Sequence, residues 1–365
     1  MKILRSQGTR FFLLLVALFV TGYQHVLAQK SKNKIGAYYF DGWSGTTFHI
    51  TQDLKNNYPD REPVWGWVTS KQEIVDEQIA LAARAGLSFF SFCWYHRNGR
   101  TIDELPENRA LSFYKSSKNA KKLEYCLLVA NHGGFDVGPE NWDKLTNLWL
   151  AEFKHPQYLR VDKKPLLIFF EFTSLIKNFG SPEAVRGAFD KLRKSAVDAG
   201  LPGASIAICA GSPDGVTKAE SSGADIITGY NYHSVGFKGD KQAIPIDTLH
   251  TAEQRLWSKL GDFAQKPYIP VSTMGWDPRP WSNDKNKYHE KPYFTGFSAQ
   301  SVEKSVTGMI DWMNAHESSL TRERIGLLYA WNENGEGAWL TPGKQGLNPL
   351  TGLKAALSGK KQRTK

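Results

Sequence analysis

Cysteine is scarce, with three residues in 365, and that excludes a disulfide framework as the main source of stability. The number is odd, and Cys93, Cys126 and Cys209 each sit inside an apolar run, so buried free thiols are expected. None has metal-ligand spacing, and the nine histidines form no H-E-x-x-H pair, so no built-in metal is expected. Neither a G-x-S-x-G elbow nor a G-x-x-x-x-G-K-S/T phosphate loop occurs. The first strand-to-helix turn also lacks the G-x-G-x-x-G fingerprint of dinucleotide binding, so no cofactor is implied. Internal repeats are absent, and low complexity is confined to a basic tail at 358–365.

Only one long apolar run exists, the uncharged stretch 11–28 that follows Lys2, Arg5 and Arg10. With Val26-Leu27-Ala28 before Gln29, residues 1–28 read as a secretory signal peptide, giving a secreted or periplasmic protein that starts near Gln29. A retained anchor is the rival, since the run approaches spanning length; Thr21, Gln24 and His25 make its second half polar and argue for cleavage. No stable membrane insertion is expected after that cleavage. No cysteine lies near Ala28 to carry a lipid.

The formal charge is +10, yet eight basic residues lie at the two ends: the three in the signal, and Lys354, Lys360, Lys361, Arg363 and Lys365. Without them the body carries +2, which argues against a nucleic-acid partner while leaving room for a local basic patch.

What the chain does have is a recurring alternation of short apolar runs and amphipathic stretches. The runs fall at 35–40, 87–95, 123–130, 165–171, 205–210, 225–232, 268–276 and 325–331. Runs apolar on both faces suit a parallel sheet covered on both sides. Helix-like segments lie between them at 71–85, 141–153, 181–199, 246–264 and 298–318, with weaker ones at 104–120 and 213–222. Eight strands alternating with helices predict an α/β fold, a single-domain (β/α)8 TIM barrel over 29–357, with an open doubly wound sheet as the alternative.

In such barrels the active site gathers at the C-terminal strand ends. Those ends are rich in aromatics, amides, imidazoles and carboxylates: Tyr39, Asp41 and Trp43; Trp94 and His96; His132; Glu171; Tyr230, Tyr232 and His233; Trp276 and Asp277; and Asn332, Glu333 and Glu336. Twelve Trp, 14 Tyr and 20 Phe exceed what a core requires. Sugars account for the mixture, because a pyranose C–H face packs on aromatic rings while its hydroxyls need many donors and acceptors. Rim packing is the competing account for each aromatic taken singly. Glycosidic cleavage uses two carboxyl groups, and Glu333 with Glu336 supplies both; Glu171 is the competing carboxylate. Three residues span at most roughly 10 Å, so both the retaining and the inverting separation stay open. A polysaccharide or oligosaccharide is therefore the expected partner.

The segment Ala330-Trp331-Asn332-Glu333-Asn334-Gly335-Glu336-Gly337-Ala338-Trp339-Leu340-Thr341-Pro342 resembles the terminal motif of glycoside hydrolase family 99-like proteins, which include endo-α-mannosidases and WbsX-like proteins of polysaccharide gene clusters. Gly36-Ala37-Tyr38-Tyr39-Phe40, Pro63-Val64-Trp65-Gly66-Trp67, and Ala85-Gly86-Leu87 leading to Trp94-Tyr95-His96 are similar too. The resemblance implies a retaining hydrolase in which Glu333 deprotonates the sugar's 2-hydroxyl, forming a 1,2-anhydro sugar, and Glu336 is the acid/base. Such attack requires O2 trans to the leaving group, as in α-mannosides and α-L-rhamnosides. Where the mannosidases carry Trp-His between the glutamates, this chain has Asn334-Gly335, closer to the WbsX-like pattern. A non-catalytic carbohydrate-binding barrel and a polysaccharide-assembly protein are the alternatives.

Overall fold

The computed structural model describes residues 33–239 and 241–359, so the signal-peptide reading of 1–28 lies outside the described residues. All eight apolar runs contain a strand. These are β1 (Lys34–Tyr39), β2 (Phe89–Trp94), β3 (Glu124–Val129), β4 (Lys164–Phe169), β5 (Ser205–Cys209), β6 (Ile226–Thr228), β7 (Val271–Thr273) and β8 (Ile325–Tyr329). They pair in parallel in the order β6-β5-β4-β3-β2-β1-β8-β7. The ring closes between β6 and the approach to β7, where the Ile227 amide donates to Pro267 at 2.9 Å and the Ile269 amide to Ile227 at 2.9 Å. No strand edge in the ring is left without a neighbour, the usual advantage of a barrel. The (β/α)8 expectation holds.

One main helix follows each strand: α1 (Gln72–Ala85), α2 (Arg109–Ser116), α3 (Trp142–Phe153), α4 (Pro182–Asp198), α5 (Pro213–Ser221), α6 (Ile246–Phe263), α7 (Ala299–Ala315) and α8 (Pro349–Ser358). Their ends are written locally. Ser181 and Ser212 each cap a helix that starts with proline, accepting from Ala184 and Gly215, while Ser298 and Ser301 form a reciprocal capping box. Gly86 stops α1 with φ of 101°, a left-handed conformation that a side chain would strain.

Helix α8 is absent from the expectations because Gly352 interrupts its helical pattern. That glycine is a packing requirement: a Cβ there would meet the Ala299 carbonyl oxygen at 1.8 Å, where α8 crosses the start of α7. Strands β6 and β7 are shorter than the runs that predicted them. The residues beyond them, 229–232 and 274–276, turn out over the C-terminal mouth as loop. Among the described residues no helix is long and apolar enough to cross a membrane. Cys93, Cys126 and Cys209 are buried and unpaired.

Behind β7, α6 buries a carboxyl group completely. Glu253 accepts from the Thr273 amide at 2.8 Å through Oε1, and its Oε2 has no partner. Burial pushes its pKa up to about 8, against the opposing hydrogen bonds from Thr273. The folded pKa exceeds that of the unfolded chain, so this group's stabilisation is complete below about pH 4.3 and is lost progressively as pH rises to about 8. The Glu253→Gln variant, which keeps the Oε1 acceptor and cannot ionise, should lose less stability than wild type across that window. Denaturant unfolding at pH 5 and pH 8 measures this, and an unchanged pH slope would contradict a titrating Glu253.

Candidate active site

After β8 the chain does not simply leave the barrel. Asn332–Glu333 pairs antiparallel with Ala338–Trp339, closing a small hairpin around the turn Asn334–Glu336. Its asparagines are latches. The Asn332 side chain accepts from the Phe40 amide at 2.9 Å and donates to the Phe40 carbonyl at 2.7 Å, fastening the hairpin to the end of β1. The Trp43 indole donates to the Asn332 carbonyl at 2.8 Å. Asn334 donates to the Arg61 carbonyl at 2.7 Å. Arg61, itself buried, forms an ion pair with Asp277, which also takes Arg279 at 2.7 Å. The Asp277 amide in turn donates to the Glu336 carbonyl at 2.6 Å.

The glycines are equally committed. A Cβ on Gly335 would sit 2.2 Å from the Trp281 ring, so Trp281 lies directly against the turn backbone. Gly337 has φ of 76°, and a Cβ there would crowd the Asp277 amide at 2.9 Å. The motif spacing thus follows from steric demand: Asn-Glu-Asn-Gly-Glu-Gly alternates anchors, carboxylates and bare backbone.

The two carboxylates face a matched pair of phenols. Tyr230, following β6, donates to Glu333 Oε1 at 2.9 Å, and Tyr329, the last residue of β8, donates to Glu336 Oε2. The phenol rings meet edge-on at 4.9 Å between centroids. Glu333 is 3% exposed and its Oε2 has no partner. Burial pushes both carboxyl groups up to about 8; for Glu333 the Tyr230 hydrogen bond pulls the other way. Near neutral pH the pair therefore holds protons that an exposed pair would have lost, the condition for donating one to a leaving oxygen.

Both glutamates line a cavity of about 570 Å³ with Cys93, Tyr95, His132, Phe170 and Tyr230. Glu336 also lines two adjoining cavities. One, of about 350 Å³, runs past Tyr232, His233 and Trp276, and the other, of about 660 Å³, past Phe48, Trp281, Asn283 and Tyr288. Glu336 is thus shared by three adjoining cavities.

Residues 65–348 match the family model described as Glycosyltransferase WbsX. The chain belongs to the WbsX family. Among solved structures it is similar to the family 99 endo-alpha-mannosidase from Bacteroides thetaiotaomicron, with 14% identity and a TM-score of 0.61 over 89% of this chain and 96% of that one. It is also similar to a structure described as a glycoside hydrolase-like protein, with 16% identity and a TM-score of 0.64 over 90% of this chain and 94% of that one. No curated protein matches the chain. The WbsX barrel is thus a glycoside hydrolase-like barrel in fold.

Of the residues singled out in this WbsX chain, the structure brings Glu333, Glu336, Tyr230, Tyr232, His132, His233 and Trp276 to the cleft. Trp276 stacks on His233 at 3.9 Å, and burial lowers the His233 pKa to about 4, keeping that ring neutral. The others are turned away. Tyr39 packs on Phe90 and Phe92, and Trp94 on Trp149 of α3, because alternate residues of a strand face opposite sides and these face the helices. Asp41 is a structural acceptor, taking the Ala110 amide at 2.7 Å and the Ser70 hydroxyl at 3.0 Å. His96 is buried off the cavity. Glu171 precedes the short helix Phe172–Phe179, and its carboxylate accepts from the Thr173 hydroxyl instead of entering the cleft. Trp43, Asp277 and Asn332 belong to the latches. Missed by the sequence reading were Tyr95 and Cys93, which are the inward partners of Trp94, and also Tyr329, Phe170, Phe48 and Trp281.

Removing the main latch has a defined cost. Asn332→Ala leaves the buried Phe40 amide and carbonyl unpaired, at about 1–3 kcal/mol each before relaxation. Urea unfolding should show a loss of about 2–4 kcal/mol, and a loss below 0.5 kcal/mol would mean the turn does not depend on it.

Proposed function

We propose that this chain is an exported retaining glycoside hydrolase acting within α-mannoside- or α-L-rhamnoside-type chains of a complex polysaccharide. The observation that carries the proposal is the pair Glu333 and Glu336: two carboxylates on one latched turn, each held by a tyrosine hydroxyl in a cleft open past Glu336. Export rests on the signal-like segment 1–28.

In the proposed reaction Glu333 takes the proton from the sugar's O2 while O2 attacks the anomeric carbon. The bond to the leaving oxygen breaks as Glu336 protonates it. Water, deprotonated by Glu336, then opens the anhydro ring, and O2 recovers its proton from Glu333. Both steps invert the anomeric centre, so the net outcome is retention. Burial raises both carboxyl groups alike to about 8, so protonated and ionised forms coexist near that pH, and the Tyr230 hydroxyl favours the ionised form of Glu333 that the first step needs. Glu336 borders further cavities past Trp276 and past Trp281, and this extra room suits an internal linkage.

The family description as a glycosyltransferase supports a second reading, transfer from an activated donor during polysaccharide assembly. Digestion of α-mannans and rhamnose-containing glycans, with NMR of the first-formed anomer, tests the hydrolase; inverted product, or sugar transfer from a nucleotide-sugar donor, overturns it. Glu336→Gln should lower kcat/KM at least a hundredfold while glycan binding survives. Binding by a wild type that hydrolyses nothing would favour a carbohydrate-binding barrel.

The base must be ionised and the acid protonated, so kcat/KM against pH should be a narrow bell near pH 8. Tyr230→Phe removes the bond that lowers the Glu333 pKa, and its rising limb should move to higher pH. An unmoved limb would remove Tyr230 from the mechanism.

Phe48 is 78% exposed and lines two of the cavities, a large apolar ring lying 4.0 Å from the His49 ring and free on its other face for a sugar. Phe48→Ala should raise KM about three- to tenfold for long oligosaccharides and leave the shortest cleaved substrate unaffected. Equal effects on both would argue against a sugar platform there.

A further inference from the structure

The cleft is electrically lopsided. The cavity past Trp281 is lined, beyond Glu336, by the uncharged Ser282, Asn283, Asn286 and Tyr288. The cavity that holds Glu333 and Glu336 carries two guanidinium groups on its β2 side, Arg97 and Arg100, on the loop that follows that strand. Neither has a carboxylate within ion-pair distance among the described residues, whereas Arg61, Arg193, Arg279 and Arg324 all do. The nearby acid Glu104 accepts from the Thr101 amide at 2.6 Å and the Thr101 hydroxyl at 3.0 Å and acts on Arg100 only at longer range, without an ion pair. Arg97 is also positioned, its guanidinium carbon lying 4.9 Å over the Phe135 ring, which holds one face and leaves the planar edge free to donate. Glu107 lines the same cavity, and its Oε2 is buried with no hydrogen-bond partner. An acceptor so placed suits a sugar hydroxyl, and the two guanidiniums, neither engaged in an ion pair, suit an oxyanion.

We infer that the Arg97 and Arg100 side of this cavity is a subsite for a sugar bearing an anionic substituent, a sulfate ester or a uronate carboxylate, with Glu107 receiving a hydroxyl of the same unit. The inference deepens the glycosidase reading and rests on it for the position of the subsite beside the reacting carboxylates. A sulfate or carboxylate presents oxygens that guanidinium edges engage in pairs, which a neutral hexose does not. Because the arginines are exposed, the attraction is screened by salt and acts as a selector among glycans more than as a source of tight binding.

The test uses the full-length protein carrying Glu336→Gln, so that binding is read without turnover. The probes are an α-mannan oligosaccharide, its chemically sulfated form and its 6-carboxyl oxidised form. Calorimetric titration at low salt should show at least one charged form binding about tenfold tighter than the parent, with the advantage shrinking in 0.5 M NaCl. Sulfated and oxidised probes separate the two sources of charge. Adding Arg97→Gln and Arg100→Gln should bring the affinity ratio close to one, and Arg97→Lys with Arg100→Lys should keep part of it. Thermal unfolding of each variant checks that the fold is intact. Equal affinity for all three probes, or a preference that survives the glutamine changes, overturns the subsite. A nucleotide-sugar that binds through the same arginines, in preference to the charged glycans, overturns it as well. Arginine-dependent binding with no hydrolysis by the wild-type protein would instead remove the glycosidase reading and leave the subsite standing, so the two failures are distinguishable.

Discussion

Everything at the mouth of this barrel hangs on a side-chain amide imitating a strand. Asn332 gives and takes one hydrogen bond with the backbone of Phe40, so the chain beyond β8 stays registered to β1 although regular pairing has ended. From that fixed point the turn carrying Glu333 and Glu336 is held on its far side by Asn334 against Arg61 and by Glu336 against Asp277. The Arg61–Asp277–Arg279 ion pairs join the loop after β1 to the loop after β7, so three loops share a single set of anchors. A buried network of this kind is costly when half satisfied and rigid when complete.

Rigidity matters because the carboxylates are kept where water would not choose to leave them. Their environment is supplied mainly by aromatic rings: Tyr95, Phe170, Tyr230 and Tyr329 crowd the same volume. Low polarity raises both acids to about 8, and each phenol returns a little of the lost hydration as a single directed bond. Cys93 lies in the same wall, its sulfur 3.8 Å from the Tyr230 oxygen; burial pushes that thiol up, making it an inert part of the lining.

The barrel was legible in the chain because fully covered strands must be apolar on both faces, and eight such runs stood out with helical stretches between them. The same property hid the details of the mouth. With no polar face to mark the inside, Tyr39 cannot be told from Tyr38, or Trp94 from Tyr95; in each pair the second-named ring faces the barrel interior and the first the helices. Strict alternation would have allowed only one member of each pair into the cleft, a constraint stronger than residue chemistry. The glutamate motif was legible because its asparagines and glycines are all required by contacts. Asn332, Asp277 and Trp43 suit sugar contacts for the same reason that they make good latches: the Trp43 indole donates, the Asp277 carboxylate accepts from two arginines, and the Asn332 amide does both. Phe48 and Trp281 come from irregular loops, where no periodicity reports which way a ring points.

Trp281 also says something about how this mouth can change over time. Its ring occupies the space in front of Gly335 that any side chain at that position would need, and its indole is tied to the His49 carbonyl at 2.9 Å. The two positions are therefore alternatives for one volume, one supplied from a distant loop and the other from the turn between the glutamates. A lineage that enlarges residue 335 has to surrender or swing out Trp281 in the same step, and with it the wall next to Phe48. The size of residue 335 thus sets how wide the groove is in front of the two carboxylates, although that residue is neither of them.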